Sequence, residues 1–412
     1  MRVLHVSKTS EGSFWAVRQA ACLVQNGVEV HAILPDTMGG AVEAWQASGA
    51  ILHFLDCSLP LRAPRSVPRR AMRIKQLVEA IRPDIIHTHH VTTTLMLRLV
   101  LGKTHPVPRL FQVPGPLHLE HWYTRKLEMA TAGASDFWIA SSRCILRRYE
   151  SIGVTTERLF LSYYSADTNM FGTARTGYLR KKLGIPEDAM IVGNINLIYP
   201  PKRYLGHTVG LKCHEDVIEA IRLVQLQRKD VWGVLVGGTF GSSNAYQRKL
   251  CTLAARKGRG RILMPGGFSS QDVASSWPDF DCAVHVPSSE NCGGVVEALL
   301  SGVPTIAGDV GGLPEIVLPG QTGTLVAICD PKVLAAAVLD VLGNRREFLG
   351  MAARGLRLAK TMFDPIRCSS EVLAIYRHIL LKEPRHLAFS SERFLATASR
   401  FVPPEVLVSC SA

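Results

Sequence analysis

The chain has 412 residues, a length that predicts two domains, each large enough to bury its own core. Hydrophobic residues make up 47% of it and charged residues 20%, which excludes a chain that is disordered over most of its length. The 47 Lys and Arg outnumber the 34 Asp and Glu, and the formal charge of +13 favours an anionic partner: a nucleotide, a phospholipid surface or a nucleic acid.

Two further features of the sequence concern secretion or membrane insertion and metal or redox motifs. No apolar stretch has the length of a signal-peptide core or of a membrane span, so the sequence predicts a soluble, cytoplasmic protein. The ten cysteines are never closer than ten residues, so no Cys-x-x-Cys metal or redox motif is present.

The first half of the chain alternates short β-rich runs with amphipathic helical stretches, a pattern typical of α/β proteins with parallel sheets. A strand is predicted at residues 2–6, and apolar residues at helical spacing predict the helix after it: Phe14, Val17, Ala21 and Val24. Further strands are predicted at residues 28–34, 51–55, 85–89, 110–113, 137–140 and 159–163.

A second series of strands begins after a polar, glycine-containing linker at residues 167–188. Its strands are predicted at residues 190–196, 232–236, 262–264, 282–286, 305–307 and 323–327. The sequence therefore predicts two doubly wound, Rossmann-like domains, at residues 1–172 and 185–362, with a cleft between them. Residues 363–412 are predicted to form a C-terminal helix that packs back on the N-terminal domain, followed by a weakly patterned tail.

The most specific motif runs from residue 287 to residue 317. It begins directly after a predicted strand, has a polar loop with Gly293 and Gly294, and continues as a helix that contains Glu297. Backbone amides at such a helix start form an anion site suited to a phosphate. Glu290 and Glu297 are then expected to accept hydrogen bonds from sugar hydroxyls that flank the phosphates.

This motif resembles that of the retaining glycosyltransferases of the GT-B fold, in particular the family 4 group with its E-x7-E signature. The resemblance implies that Glu297 holds the nucleotide ribose, that Glu290 contacts the donor sugar, and that the residues between them contact sugar and diphosphate: Asn291, Gly293, Gly294 and Val295. The sequence departs from the signature, because Ser289 occupies the position of the first Glu and Glu290 follows one residue later.

A second stretch of the resemblance ends at residue 220. Lys212 matches a family lysine that meets the donor diphosphate, where it would neutralise charge on the leaving group. The family usually has an arginine upstream, but the corresponding residue here is Leu197. Lys202 and Arg203, in an inserted loop, are the candidates to supply the missing cation.

The N-terminal domain contributes the remaining predicted site residues. The family has a Gly-Gly pair after the first strand, of which only Gly12 remains, and one glycine does not make a dinucleotide-binding turn. By position, His118 matches a family histidine near the reacting carbon and is the third predicted catalytic residue, with Lys212 and Glu290. His87 and His89 lie on one side of a strand and are predicted to contact the acceptor. No third metal ligand is visible beside them.

Two charged segments have less specific interpretations. Asp279 and Asp281 have the spacing of an Asp-x-Asp metal motif, but they directly precede a predicted strand, which indicates a structural role. Residues 62–82 hold seven Lys and Arg, and such a basic helix either contacts anionic lipid or is a solvated surface. The stretch has no aromatic residue to stack on bases, so nucleic-acid binding is not expected.

The resemblance thus implies a glycosyltransferase that moves a sugar from a nucleotide-sugar donor, bound by the second domain, to a saccharide or lipid-linked acceptor on the first. Retention of configuration is expected, with no metal ion and no cofactor. Two alternatives remain open: a nucleotide-sugar epimerase or hydrolase of the same fold, and a basic, non-catalytic nucleic-acid-binding protein.

Overall fold

The computed structural model describes residues 1–60, 63–203, 206–239, 243–386 and 388–398. Seven strands form the first sheet: β1 (Arg2–Val6), β2 (Glu29–Leu34), β3 (Ile51–Phe54), β4 (Ile85–Thr88), β5 (Arg109–Val113), β6 (Asp136–Ala140) and β7 (Leu159–Leu161). All neighbours pair in parallel, in the order β3-β2-β1-β4-β5-β6-β7. The inner strands β1, β4 and β5 are almost completely buried, as expected for a parallel sheet covered on both faces.

Six strands form the second sheet: β8 (Met190–Ile195), β9 (Val231–Val236), β10 (Ile262–Gly266), β11 (Cys282–His285), β12 (Thr305–Gly308) and β13 (Thr324–Val326). They are also parallel, in the order β10-β9-β8-β11-β12-β13. The predicted α/β class with two Rossmann-like domains is confirmed.

The helices lie between and outside the strands. Those of the first domain are α1 (Phe14–Gln25), α2 (Val42–Ala47), α3 (Val67–Ile81), α4 (Val91–Leu101), α5 (Leu117–Glu120), α6 (Trp122–Thr131) and α7 (Arg143–Ser151). Those that follow are α8 (Tyr178–Leu183), α9 (His214–Gln227), α10 (Ala245–Gly258), α11 (Ser270–Ser276), α12 (Gly293–Leu300), α13 (Pro331–Gly343), α14 (Arg345–Met362), α15 (Pro365–Leu381) and α16 (Ser391–Ala398). Within the described ranges, no helix is both long and apolar enough to cross a bilayer.

The strand order reverses once in each sheet, between β1 and β4 in the first and between β8 and β11 in the second. Ligands of open α/β sheets bind outside the carboxyl ends of the strands at such a reversal. The loops after these four strands therefore mark the place for a site, and they contain most of the residues that the sequence singled out.

The end of the chain returns to the first domain. Helix α15 packs along α1 and adds apolar side chains to the core on that face of the first sheet, among them Val372, Ile375 and Tyr376. Helix α16, which the weak pattern of the tail did not predict, buries Leu395 in the core between the domains. Residues 399–412 of the predicted tail lie outside the described residues.

The basic segment contains helix α3, whose apolar side Ile74, Val78 and Ile81 is buried. Most of its basic residues are exposed, and Arg70 pairs with Asp56. Arg62, the first residue of the segment, lies outside the described residues.

Asp279 and Asp281 occupy the structural positions predicted for them. The Asp279 carboxylate accepts hydrogen bonds from the backbone amides of Thr176, Gly177 and Leu179, at 2.8–2.9 Å, and thereby caps α8. Asp281 is buried and accepts from the amide of Ile191 at 2.8 Å, and it also pairs with arginines of the linker and of α14.

We expect Asp279→Ala to lower the free energy of unfolding by about 2–3 kcal/mol, because three amides lose a charged acceptor in a buried place. Urea unfolding measures the change, with Asp188→Ala, an exposed position, as the matched control. Equal urea midpoints for the two variants would contradict the capping role.

Candidate active site

A cavity of about 760 Å³ lies between the carboxyl ends of the two sheets. Residues of both domains line it, and most belong to loops that follow strands: 13–15, 141, 164–167, 195–197, 236–238, 267–268 and 290–294. The predicted interdomain cleft is therefore present at the strand-order reversals.

Helix α12 begins at the wall of this cavity. A Cβ built on Gly294 would lie 2.0 Å from Nε2 of His285, so only glycine fits against that ring. Gly293 is exposed, and both glycines line the cavity. The first amides of a helix have no partner inside the helix, so this wall offers donors to a phosphate.

Glu297, one turn into α12, also lines the cavity. Its Oε2 accepts a hydrogen bond of 3.0 Å from the indole Nε1 of Trp277. Burial raises the pKa of Glu297, against the opposing effects of this hydrogen bond and of the positive charge of Arg18. The other carboxylate oxygen remains available for a ligand hydroxyl.

Lys212 and Glu290 form an ion pair at the cavity wall. His285 Nε2 lies 3.1 Å from the same carboxylate oxygen, and Asn196 Nδ2 lies 3.2 Å from His285 Nδ1. Burial acts to raise the pKa of Glu290, but the charge of Lys212 and the hydrogen bond of His285 outweigh it and hold that pKa at about 2. Glu290 is therefore an anion at neutral pH.

Asn291 ties the loop before α12 to the first domain. Its Nδ2 donates to Ser141 Oγ at 2.8 Å, while Oδ1 is buried and accepts from none of the residues that the structure describes. A second contact between the domains is made by Glu315, whose carboxylate accepts from the amides of Arg143 and Cys144, both at 2.9 Å, and so caps α7. These contacts fix how the two walls face each other.

The predicted site residues divide into two sets. Six of them line the cavity together: Lys212, Glu290, Asn291, Gly293, Gly294 and Glu297. The others are not among the described residues that line it: Gly12, Lys202, Arg203, Val295, His87, His89 and His118. Their roles stay predictions.

The residues of the second set have identifiable surroundings. Val295 is buried in the hydrophobic core between the domains. Gly12 precedes the lining residues 13–15 and has φ +66°, a left-handed conformation that glycine adopts without strain. Burial and the nearby charge of Lys8 lower the pKa of Lys202.

His118 belongs to a buried polar network with Glu128 and Tyr149. Its Nε2 lies 3.1 Å from Glu128 Oε2 and 3.1 Å from the Tyr149 hydroxyl. Burial acts to raise the pKa of Glu128, but the hydrogen bond and charge of His118 and the charge of Arg98 lower it. Pro114, in the loop between β5 and α5, lines the cavity.

His87 and His89 meet a third histidine that the sequence did not indicate. In the parallel register His5 of β1 pairs with His87 of β4, so the three imidazoles share one face of the sheet. His5 Nδ1 lies 2.9 Å from His89 Nε2, and His87 Nδ1 lies 2.5 Å from the Tyr376 hydroxyl. The ring of Trp15, which lines the cavity, covers His89. The cluster thus lies directly behind the part of the cavity wall that Trp15 forms.

The lining residues of the first domain that the sequence analysis did not predict include Trp15, Arg18 and Tyr164. Trp15 and Tyr164 pack with ring centroids 4.0 Å apart. Arg18 follows Trp15 on α1 and is a cation on the wall opposite α12. The position of Trp15 and Arg18 at the start of the helix after β1 was the available signal, because such starts face the ligand in α/β sheets.

Comparison with known families agrees with this geometry. Residues 15–169 match the family described as Glycosyltransferase Family 4, and residues 203–355 match the family described as Glycosyl transferases group 1. The chain belongs to the GT-B glycosyltransferases of the family 4 type. Together the two matches cover most of both domains.

Curated relatives of this family 4 chain carry the name D-inositol 3-phosphate glycosyltransferase. The protein from Nocardioides sp. is 27% identical over 232 residues, which are 53% of this chain and 48% of that protein. The protein from Streptomyces coelicolor is 31% identical over 179 residues, which are 42% of this chain and 37% of that protein. The chain therefore matches about half or less of the length of these relatives.

Solved structures share the fold of this glycosyltransferase over nearly its whole length. Anabaena Alr3699/HepE in complex with UDP and glucose has a TM-score of 0.74 at 18% identity, covering 90% of this chain and 98% of that one. Sucrose-phosphate synthase from Thermosynechococcus elongatus has a TM-score of 0.75 at 18% identity, covering 93% and 100%. A putative UDP-N-acetylglucosamine 2-epimerase from Listeria monocytogenes has the same fold with a TM-score of 0.63 at 16% identity.

Proposed function

We propose that the chain transfers a sugar from a nucleotide-sugar donor to a saccharide or lipid-linked acceptor, with retention of configuration and without a metal ion. The observation that carries the proposal is that Lys212, the start of α12 and Glu297 line one cavity between the two domains. A lysine and free amides suit a diphosphate, and a carboxylate suits the ribose hydroxyls.

Donor binding on the second domain follows from these chemistries. The diphosphate would lie between Lys212 and the amides at Gly293 and Gly294, and the ribose at Glu297. Glu290, an anion beside Lys212, would accept from a hydroxyl of the donor sugar. The structural neighbour Anabaena Alr3699/HepE, solved in complex with UDP-glucose, makes UDP-glucose the first donor to test.

The transfer step needs charge stabilisation at the leaving group. The bond from the anomeric carbon to the diphosphate oxygen breaks, and a bond to the acceptor oxygen forms on the same face. The departing phosphate oxygen takes the acceptor proton, and Lys212 with the α12 amides stabilises the negative charge that remains. Positive charge from the protein would thus replace a divalent metal ion in stabilising the leaving diphosphate.

The first domain would hold the acceptor. Phe14 and Trp15 present apolar ring surface to the cavity opposite the donor wall, and a sugar ring packs on such a surface. Contact of α3 with anionic lipid is a separate proposal, which rests on its exposed Arg69, Arg73 and Lys75. It would place the protein beside a lipid-linked acceptor.

Melting temperatures with UDP, GDP and ADP test the donor site, because a ligand that binds only the folded state raises the melting temperature. We expect one of the three to raise it, and Glu297→Gln to weaken that nucleotide about tenfold, through loss of a charged acceptor for the ribose. If none of the three nucleotides shifts the wild-type melting temperature, the proposal is wrong.

Product analysis tests the reaction class. Incubation with the donor alone should leave the donor sugar unchanged, and addition of an acceptor should give a product with the anomeric configuration of the donor. An epimerised or freely released sugar from the donor alone would favour the epimerase or hydrolase instead. EDTA should leave turnover unchanged if no metal ion takes part.

A further inference from the structure

Arg18 is a half-buried cation whose hydrogen-bonding capacity is only partly used by the described residues. Its Nη2 donates to the carbonyl oxygen of Ser165 at 2.9 Å, but its Nε is buried and has no hydrogen-bond partner among the described residues. Within the described ranges, no carboxylate lies within 4.0 Å of its guanidinium. The side chain lines the cavity from the first domain, on the wall opposite α12.

The surroundings of Arg18 disfavour its positive charge. Burial lowers the pKa of Arg18, and the negative charges of Asp167 and Glu297 only partly oppose that effect. A guanidinium remains charged in proteins, and a buried charge without a paired anion lowers stability. An anionic ligand in the cavity would supply both the missing charge and the acceptor for Nε.

The charge balance of the cavity points to the same ligand. Among the described residues that line it, the positive side chains are Lys212 and Arg18, and the negative ones are Asp167, Glu290 and Glu297. Lys212 is already paired with Glu290. A diphosphate with two or more negative charges therefore needs a further cation, and Leu197 occupies the position where the family resemblance leads us to expect an arginine.

We propose that Arg18 is the second positively charged ligand of the donor diphosphate, supplied by the first domain in place of the cation missing at Leu197. This inference rests on the proposed function and names a residue that binds the substrate. Its consequence is that the diphosphate joins the two domains, since Lys212 holds it from one wall and Arg18 from the other.

Calorimetric titration of Arg18→Gln and Arg18→Lys with UDP and with uridine tests the inference. If wild type prefers guanine or adenine to uracil, GDP with guanosine or ADP with adenosine replaces UDP with uridine. We expect Arg18→Gln to bind the diphosphate about tenfold more weakly, as for loss of one charged hydrogen bond. Affinity for the nucleoside should stay the same, and Arg18→Lys should restore part of the loss. Arg147→Gln, at an exposed position of α7, is the matched control.

The outcomes separate this inference from the proposal on which it rests. If wild type binds a nucleoside diphosphate and Arg18→Gln binds it equally well, Arg18 is not a phosphate ligand, while the donor site stands. Equal losses for diphosphate and nucleoside would assign Arg18 a structural role and overturn the inference. If wild type binds none of the three diphosphates, the proposed function and this inference fail together.

Discussion

Lys212→Met is expected to reduce donor turnover at least about 100-fold, because the variant removes the cation that stabilises the leaving diphosphate. Release of nucleoside diphosphate at saturating donor measures the effect. The same change leaves the half-buried Glu290 without a cationic lysine partner and with His285 and the amide of Asn291 as its described contacts, so the pKa of Glu290 should rise and the free energy of unfolding should fall by about 3 kcal/mol. Activity and stability are thus both expected to decrease.

The double variant Lys212→Met, Glu290→Gln separates these two effects. It removes the unpaired carboxylate, so we expect most of the stability to return while turnover stays low. Glu290→Gln alone, which keeps Lys212 and frees it from its ion pair, is the matched control for diphosphate binding. Recovery of turnover in the double variant would show that Lys212 acts only by neutralising Glu290, and the proposed role would be wrong.

The fold and the cavity wall formed by the second domain were predictable, because the sequence signals for both are local. Alternating strand and helix patterns define each domain, and the motif that contains Glu290, Gly294 and Glu297 lies within eight residues. A strand, a loop and the following helix form one unit, so sequence neighbours become neighbours at the site. Six of the predicted site residues meet at the cavity for this reason.

The cavity wall formed by the first domain was less predictable, because it depends on contacts between segments that are distant in sequence. His5 joins His87 through strand register, which periodicity does not show. His118 turns toward Glu128 of α6, a partner that no spacing rule indicated. Arg18 has no motif of its own, and its unfilled hydrogen-bonding capacity is visible only once α1 is placed against the cavity.

The histidine cluster of His5, His87 and His89 is expected to make the fold sensitive to acid. Burial lowers the pKa of His5 to about 3 and lowers the pKa values of His87 and His89 well below the usual 6.5. The unfolded chain takes up protons below pH 6.5 that the folded chain does not, so the free energy of unfolding decreases as the pH falls. From pH 7 to pH 5, each such histidine should lower it by about 2 kcal/mol.

Urea unfolding at pH 7, 6 and 5 measures this dependence, with His5→Gln as the variant and His386→Gln, at an exposed position, as the control. The hydrogen-bonded neighbours of the cluster, Tyr376 and Tyr164, do not titrate in this range, since burial raises their pKa values. The slope of the free energy of unfolding against pH should therefore decrease in His5→Gln by the contribution of about one proton. The slope for His386→Gln should equal that of wild type. Parallel curves for wild type and His5→Gln would mean that His5 is already protonated in the fold, or is reached by water, at pH 5.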